Sequence, residues 1–435
     1  MATPEPDNNR HETATSRHGR RTGIELNNRG DPPMNQQQLT YSPFDPAVIE
    51  DPYPVYRELR ENAPLFWSPA ASTWVLSRYD DVSAALLDPE TYSSASGIFP
   101  TPPGVDMTEL FLPMLIMSDP PRHTQLRRLI SKAFTPRRIA GLETRIQALV
   151  DDLLDQAPDT GTWDFVSGFA GPLPAIVIAD MLGVPRNDRD RFRTWSTTLI
   201  QSSPIRGEFG PGLDAASALY EYFAAFLAER RAHPQDDLMT ALVHAEVDGA
   251  YLSEEELLGF CLLLLVAGHE TTTNLLSNSA VILAQHPESR RQLADHPHLV
   301  PAAVEELLRY DSPVQGLART LTRQVDLHGQ RMKTGDTVLL LFGSANRDDH
   351  AFPAPDNFDI NRRPERQIAF GRGIHFCLGA ALARLEAQIA LQALLARRRD
   401  WDVDLNSAVR LRSGPIRGYV SLPVQWASAA PPSSK

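Results

Sequence analysis

The chain has 435 residues, 42% of them apolar, a formal charge of −12 and two cysteines. That length and composition can bury a substantial core, and the acidic balance excludes a non-specific nucleic-acid binder. Two cysteines cannot build a disulfide framework, and no run approaches the ~18 apolar residues of a membrane span, so the expectation is a protein of the reducing cytoplasm with no membrane contact.

The first 40 residues are polar and lack the apolar stretch of a secretory signal. They read as a disordered extension, with Met34 as a second candidate start. Residues 41–428 read as one domain and 429–435 as a disordered tail. Alternation at Leu65–Trp67 and Thr73–Leu76 predicts a hairpin. The stretch Ser93–Met117 is irregular yet rich in apolar residues, among them Phe99 and Leu112, and is expected in part to line a pocket. Asp119-Pro120-Pro121 opens a helix on which His123 and Arg127, at i and i+4, share a face. Gln201–Leu213, with Pro204, Gly207, Gly210, Pro211 and Gly212, predicts a loop between two helices.

Ser253 and Glu256 form a capping-box pattern, and the helical periodicity that follows runs to His286, where Pro287 stops it. At ~32 residues this helix would be ~48 Å long. It is apolar all round from Leu257 to Ala267, including Leu263 and Val266, so it should cross the core. The run Ala267-Gly268-His269-Glu270-Thr271-Thr272-Thr273-Asn274 then brings in poor helix formers that are costly to bury, and predicts a kink beside a groove. Glu306 and Arg309 are an i, i+3 pair on a further helix. Strand patterns at Val325–Met332, turning at His328-Gly329, at Thr337–Phe342 and at Gly418–Leu422 complete the reading: mainly α with a smaller β-rich lobe.

The most specific segment is Phe370–Gly379, FGRGIHFCLG, followed by a strongly helical run. It places Cys377 where the positive end of a helix dipole is expected to lower the thiol pKa and favour metal ligation. Gly371 and Gly373 permit positive φ, so the loop could lie flat against a large planar group. GRGIHF lacks the third glycine of GxGxxG and opens no βαβ unit, which excludes a dinucleotide loop.

Phe370, Gly371, Gly373, His375, Cys377 and Gly379 in this spacing resemble the haem-binding loop of the cytochrome P450 family, and the likeness extends from about Tyr41 to Trp426. The resemblance implies the cytochrome P450 fold (α+β) and haem b, with Cys377 as axial iron ligand and Phe370 shielding its sulfur. His123, Arg127, His375 and Arg319, in GLART, would meet the haem propionates. Ala267-Gly268-His269-Glu270-Thr271 matches the family's oxygen-binding motif. There Ala267 and Gly268 would flank the haem, Gly268 opening room beside the iron. Thr271 would hydrogen-bond the bound oxygen, Glu270 would relay protons from solvent, and His269 would point away. Glu306 and Arg309 would lock the core beneath the haem together with Arg363 or Arg366. Phe99, Leu112, Leu263, Val266, Val314, Leu317 and Ile416 would wall the substrate pocket, with Gln201–Leu213 as a mobile lid.

The implied reaction is insertion of one oxygen atom of O2 into an apolar small molecule of terpenoid, steroid, fatty acid or polyketide class by a monomeric enzyme. Electrons would come from a separate ferredoxin and its NAD(P)H-dependent reductase, docked on Arg122, Arg128, Lys132, Arg372 and Arg384. Two alternatives compete. A peroxide-driven peroxygenase would not need the Glu270–Thr271 pair, and a non-enzymatic haem-binding or recruiting module could dispense with both that pair and the thiolate.

Overall fold

The computed structural model describes residues 39–100, 112–201, 209–247 and 249–426. The expectations for the N-terminal extension and the tail lie outside them, as do Met107, Leu110 and Phe111 of the apolar loop and Pro204 and Gly207 of the second loop. The hairpin forms as β1 (Leu65–Ser68) and β2 (Thr73–Leu76). A five-stranded sheet grows from it by adding β3 (Tyr92–Ser93), β4 (Leu317–Leu321) and β5 (Thr337–Leu340), in the order β1-β2-β5-β4-β3. β5 runs parallel to β2 and the other pairings are antiparallel. The pattern at 325–332 closes as a hairpin of Val325–Leu327 and Gln330–Met332, with His328 and Gly329 both at positive φ.

The larger core is helical. It gathers α1 (Arg122–Ala133), α2 (Pro172–Leu182), α3 (Arg189–Gln201), α4 (Phe209–Ala232), α5 (Glu254–Gln285), α6 (Val300–Tyr310) and α7 (Ala380–Arg397). Two smaller apolar clusters pack on the sheet. α5 carries the full capping box at Ser253 and Glu256 and stops at His286, before Pro287, as its sequence dictates. α4 begins at Phe209, so Gly210, Pro211 and Gly212 form its first turn rather than a loop. Proline is tolerated there because first-turn amides have no helical partner to lose.

The helix α5 is not interrupted at Ala267–Asn274. Thr271 Oγ1 donates to the Ala267 carbonyl at 2.7 Å and Thr273 Oγ1 to the His269 carbonyl at 2.9 Å. Those back-bonds satisfy the hydroxyls inside the helix and are of the kind that bends one without breaking it. No helix among the described residues is long and apolar enough to cross a membrane.

Candidate active site

The cysteine loop is tied back on itself and onto the sheet lobe. The Cys377 amide donates to the Phe370 carbonyl at 2.9 Å, and Gly371 and Gly373 both take positive φ. Their roles differ. A Cβ on Gly371 would meet only the His375 carbonyl at 3.9 Å, whereas one on Gly373 would press the Leu86 carbonyl at 2.5 Å. Gly373 therefore serves a close approach to a neighbouring helix, and Gly371 leaves its side of the loop open. The Arg384 guanidinium lies 4.5 Å from the Phe370 ring centroid.

The expected lowering of the Cys377 thiol pKa is not found. Burial pushes it up, outweighing the Gly379 amide and the Arg127 and Arg384 charges that pull it down. Helix α7 begins three residues later, at Ala380, and the field of a helix end falls off within a turn. A bound metal reverses this balance, because a coordinating thiol is deprotonated outright.

Beside the loop, four donor-bearing side chains converge with almost no acceptors. His123 is 2% exposed and neither of its ring nitrogens has a partner. Its ring centroid lies 4.4 Å from that of His375. Arg319, 3% exposed on β4, donates to the Ala318 carbonyl at 2.7 Å, and Arg127 donates to the Phe376 carbonyl at 2.8 Å. Burial, then Arg319, His123 and Arg127, push the His375 pKa down to about 3. Burial likewise pulls Arg319 down to about 10. A cluster that disfavours its own charges in this way lacks its counter-anions.

The middle of α5 is open where the sequence reads as core. Leu257, Phe260, Cys261, Leu262, Leu264 and Leu265 are buried, but Leu263 and Val266 are half-buried and Ala267 is exposed. An exposed alanine inside a buried helix marks space beside that turn. Gly268 does not face that space, contrary to expectation. Its Cβ direction meets Ile178 Cδ1 at 2.7 Å, so its small size serves the packing of α5 against α2. His269 is buried, its Nδ1 2.8 Å from Ser196 Oγ.

Glu270 lines a cavity of about 450 Å³ with Ser167, Thr194, Thr198, Thr273 and Asn274. No described residue hydrogen-bonds its carboxyl, and burial pushes its pKa up to about 8.

Glu306 and Arg309 are both fully buried and joined by two hydrogen bonds of 2.7 and 2.8 Å. Arg309 also donates to the carbonyls of Asn346, Pro355 and Asn357. The third member is Arg362, not Arg363 or Arg366: its Nε reaches Glu306 Oε1 at 3.1 Å. The turn 353–359 curls so that Arg362 also bonds the carbonyls of Pro353, Ala354 and Asn357. Arg363 is exposed and Arg366 lies over the Tyr79 ring.

Among the expected wall residues, Val314 and Ile416 are half-buried and joined by a β-bridge, Leu317 and Leu112 are half-buried, and Phe99 is 39% exposed. Of the cations expected around the cysteine face, Arg122 pairs with Glu256 and Arg384 with Glu305. Arg372 donates to Ser83 Oγ, while Arg128 and Lys132 are exposed on α1.

The comparisons with known proteins agree with this architecture. A family model described as cytochrome P450 matches residues 203–408. Cytochrome P450 123 of Mycobacterium tuberculosis is 41% identical over 398 residues, covering 91% of this chain and 98% of the relative. A vitamin D(3) 25-hydroxylase of Pseudonocardia autotrophica is 40% identical over 387 residues, 88% and 95% of the two chains. The crystal structure of CYP109E1 from Bacillus megaterium in complex with testosterone superposes with a TM-score of 0.78 at 36% identity, covering 86% of this chain and 99% of that one. The chain belongs to the cytochrome P450 family, and its cofactor is haem b.

The residues present fit that group. Two propionates would supply the anions missing from the cluster of His123, Arg127, Arg319 and His375, since guanidinium pairs suit carboxylates. Sequence reading missed Arg362, as well as Ser94 and Asp119, which bind the edge of the cluster. Asp119 heads the Asp-Pro-Pro-Arg-His run and was the one of the three with a visible signal.

Proposed function

We propose that this P450 inserts one oxygen atom of O2 into a rigid apolar molecule of steroid or secosteroid size, with electrons from a separate ferredoxin and NAD(P)H-dependent reductase. The observation that carries the substrate class is the set of apolar side chains left half-buried beside the open turn of α5 and on the β4 side, Leu263, Val266, Val314, Leu317 and Ile416, with no charge among them. The vitamin D hydroxylase and the testosterone complex among the relatives support the same class. Terpenoids, fatty acids and polyketides are the competing classes.

Haem held through Cys377 supplies dioxygen activation when bound, the thiolate donating electron density to the iron. His123, Arg127, Arg319 and His375 would orient it through its propionates. Ala267 leaves space beside the helix, and Thr271 and Glu270 would hold and pass protons on that side. Glu306, Arg309 and Arg362 keep the turn beneath the loop rigid. A cytoplasmic, monomeric enzyme completes the proposal.

The test is spectral. Purified ferric protein titrated with steroids, secosteroids, terpenes, fatty acids and macrolides should show a Soret blue shift with the first two groups. A shift confined to another group reassigns the substrate, and none at all favours a carrier-bound substrate or a non-enzymatic module.

A further inference from the structure

One carboxylate stands at the edge of the donor cluster and is tied to it from three directions. Asp119 Oδ1 accepts from the Ser94 amide at 2.9 Å and Oδ2 from the Ser93 hydroxyl at 2.5 Å. The Asp119 carbonyl accepts from the His123 amide at 2.9 Å, opening the first turn of α1. Ser93 is held on β3 opposite Thr320, the neighbour of Arg319 on β4. Ser94, only 1% exposed, sets its hydroxyl 3.2 Å from His375 Nε2. One residue thus ties three of the four donors together: its carboxylate holds His375 through Ser94 and Arg319 through Ser93 and the β3–β4 pairing, and its backbone carbonyl holds the His123 amide.

We propose that Asp119 is a positioning residue for the haem: it presses Ser94 against His375 and, as the nearby fixed anion, sets the charge balance around the propionates and thereby the reduction potential of the iron. Two physical arguments carry this. A buried cluster of donors needs its geometry held by neighbours if it is to orient a planar ligand. Reduction adds an electron to the haem, and a carboxylate within the same poorly screened region opposes that addition. Asp119 acts on both His123 and Arg319 electrostatically, in the direction expected of a neighbouring anion.

The experiment separates charge from contact. Asp119→Asn removes the charge and weakens the grip on Ser93, Ser94→Ala removes only the hydroxyl at His375, and Ser93→Ala leaves both the charge and Ser94 in place. All three are prepared as holoenzyme, and the ferrous–CO absorption band is recorded first. That band tests haem-thiolate binding itself, so its absence in the unaltered protein would count against the family-level site and not against Asp119.

Midpoint potential by spectroelectrochemical titration, and haem transfer to apomyoglobin, are then the readouts. D119N should move the potential positive, and S94A should speed haem transfer several-fold with a smaller change in potential. S93A should resemble the unaltered protein in potential. An unchanged potential in folded D119N overturns the electrostatic part. Should D119N fail to fold, S94A still decides the contact: an unchanged haem-transfer rate overturns it.

Discussion

Two carboxyls show how strongly desolvation acts at single residues in this chain. Glu270, on α5, has its pKa pushed up to about 8 by burial alone. Near neutral pH it therefore keeps its proton, which the proposed relay would pass on, and above about 8 it is ionised. The ratio of product formed to NAD(P)H consumed should fall as pH rises through that value. Glu270→Gln should give a low ratio with no such step, and Thr271→Ala should release hydrogen peroxide at the expense of product. Preserved coupling in both variants would remove the relay.

Glu386, on α7, is 1% exposed, one of its oxygens has no partner, and burial pushes its pKa to about 8 as well. Here the linkage runs against the folded state. The unfolded chain loses the proton near the ordinary glutamate value, while the folded chain keeps it until about 8. Stability therefore falls between those two pH values, by at most about 1.4 kcal/mol per pH unit. Glu386→Gln should flatten that decline, seen as a melting temperature that exceeds the unaltered protein's more at pH 8 than at pH 5.

At the scale of elements, sequence spacing was informative wherever the partners share one helix or one short loop. Glu306 with Arg309, Ser253 with Glu256, and the cysteine loop are all of this kind, and each lies where its spacing predicts. Spacing fails when the contact is made by a turn folding back. Arg362, Arg363 and Arg366 are three basic residues within five positions, and only the curl of 353–359 selects the first. Arg362→Ala should lower stability by about 1–3 kcal/mol, because Glu306 keeps Arg309. Glu306→Ala should cost about 3–5 kcal/mol by leaving Arg309 buried without its anion, and Arg363→Ala should stay within about 0.5 kcal/mol. Equal losses for Arg362 and Arg363 would refute the assignment.

Gly268 was misread for a related reason: a small residue in a helix declares space needed on one side but not which side. With Ile178 Cδ1 in the way of its Cβ, Gly268→Ala should destabilise by roughly 1–2 kcal/mol, and Ile178→Val in the same chain should recover much of the loss. Recovery by Ile178→Val with coupling intact identifies packing as the role. A loss of coupling that Ile178→Val cannot restore would return Gly268 to the oxygen side.

At the scale of the whole molecule, the chain is acidic overall, yet the helix that touches the cysteine loop is basic. Arg127 on α1 reaches the Phe376 carbonyl within that loop, so α1 lies against the thiolate side, and Arg128 and Lys132 on the same helix are exposed. Composition alone hid this, because a net charge of −12 says nothing about its distribution. Three of the expected cations have partners on other elements: Arg122 and Arg384 hold Glu256 on α5 and Glu305 on α6, and Lys132 donates to the Glu246 carbonyl. We propose that an acidic ferredoxin docks on this face and draws on the exposed cations Arg128 and Lys132.

Exposed charges act on encounter rather than on affinity once docked, and salt screens them over about 10 Å at 0.1 M. Arg128→Glu with Lys132→Glu should slow ferredoxin-driven haem reduction at least tenfold at low ionic strength and converge on the unaltered rate in high salt. Arg384→Gln should instead lower thermal stability with little salt dependence in the rate. Stopped-flow reduction across an ionic-strength series distinguishes them, and a charge-reversed protein reduced at the unaltered rate in low salt would move the ferredoxin to another face.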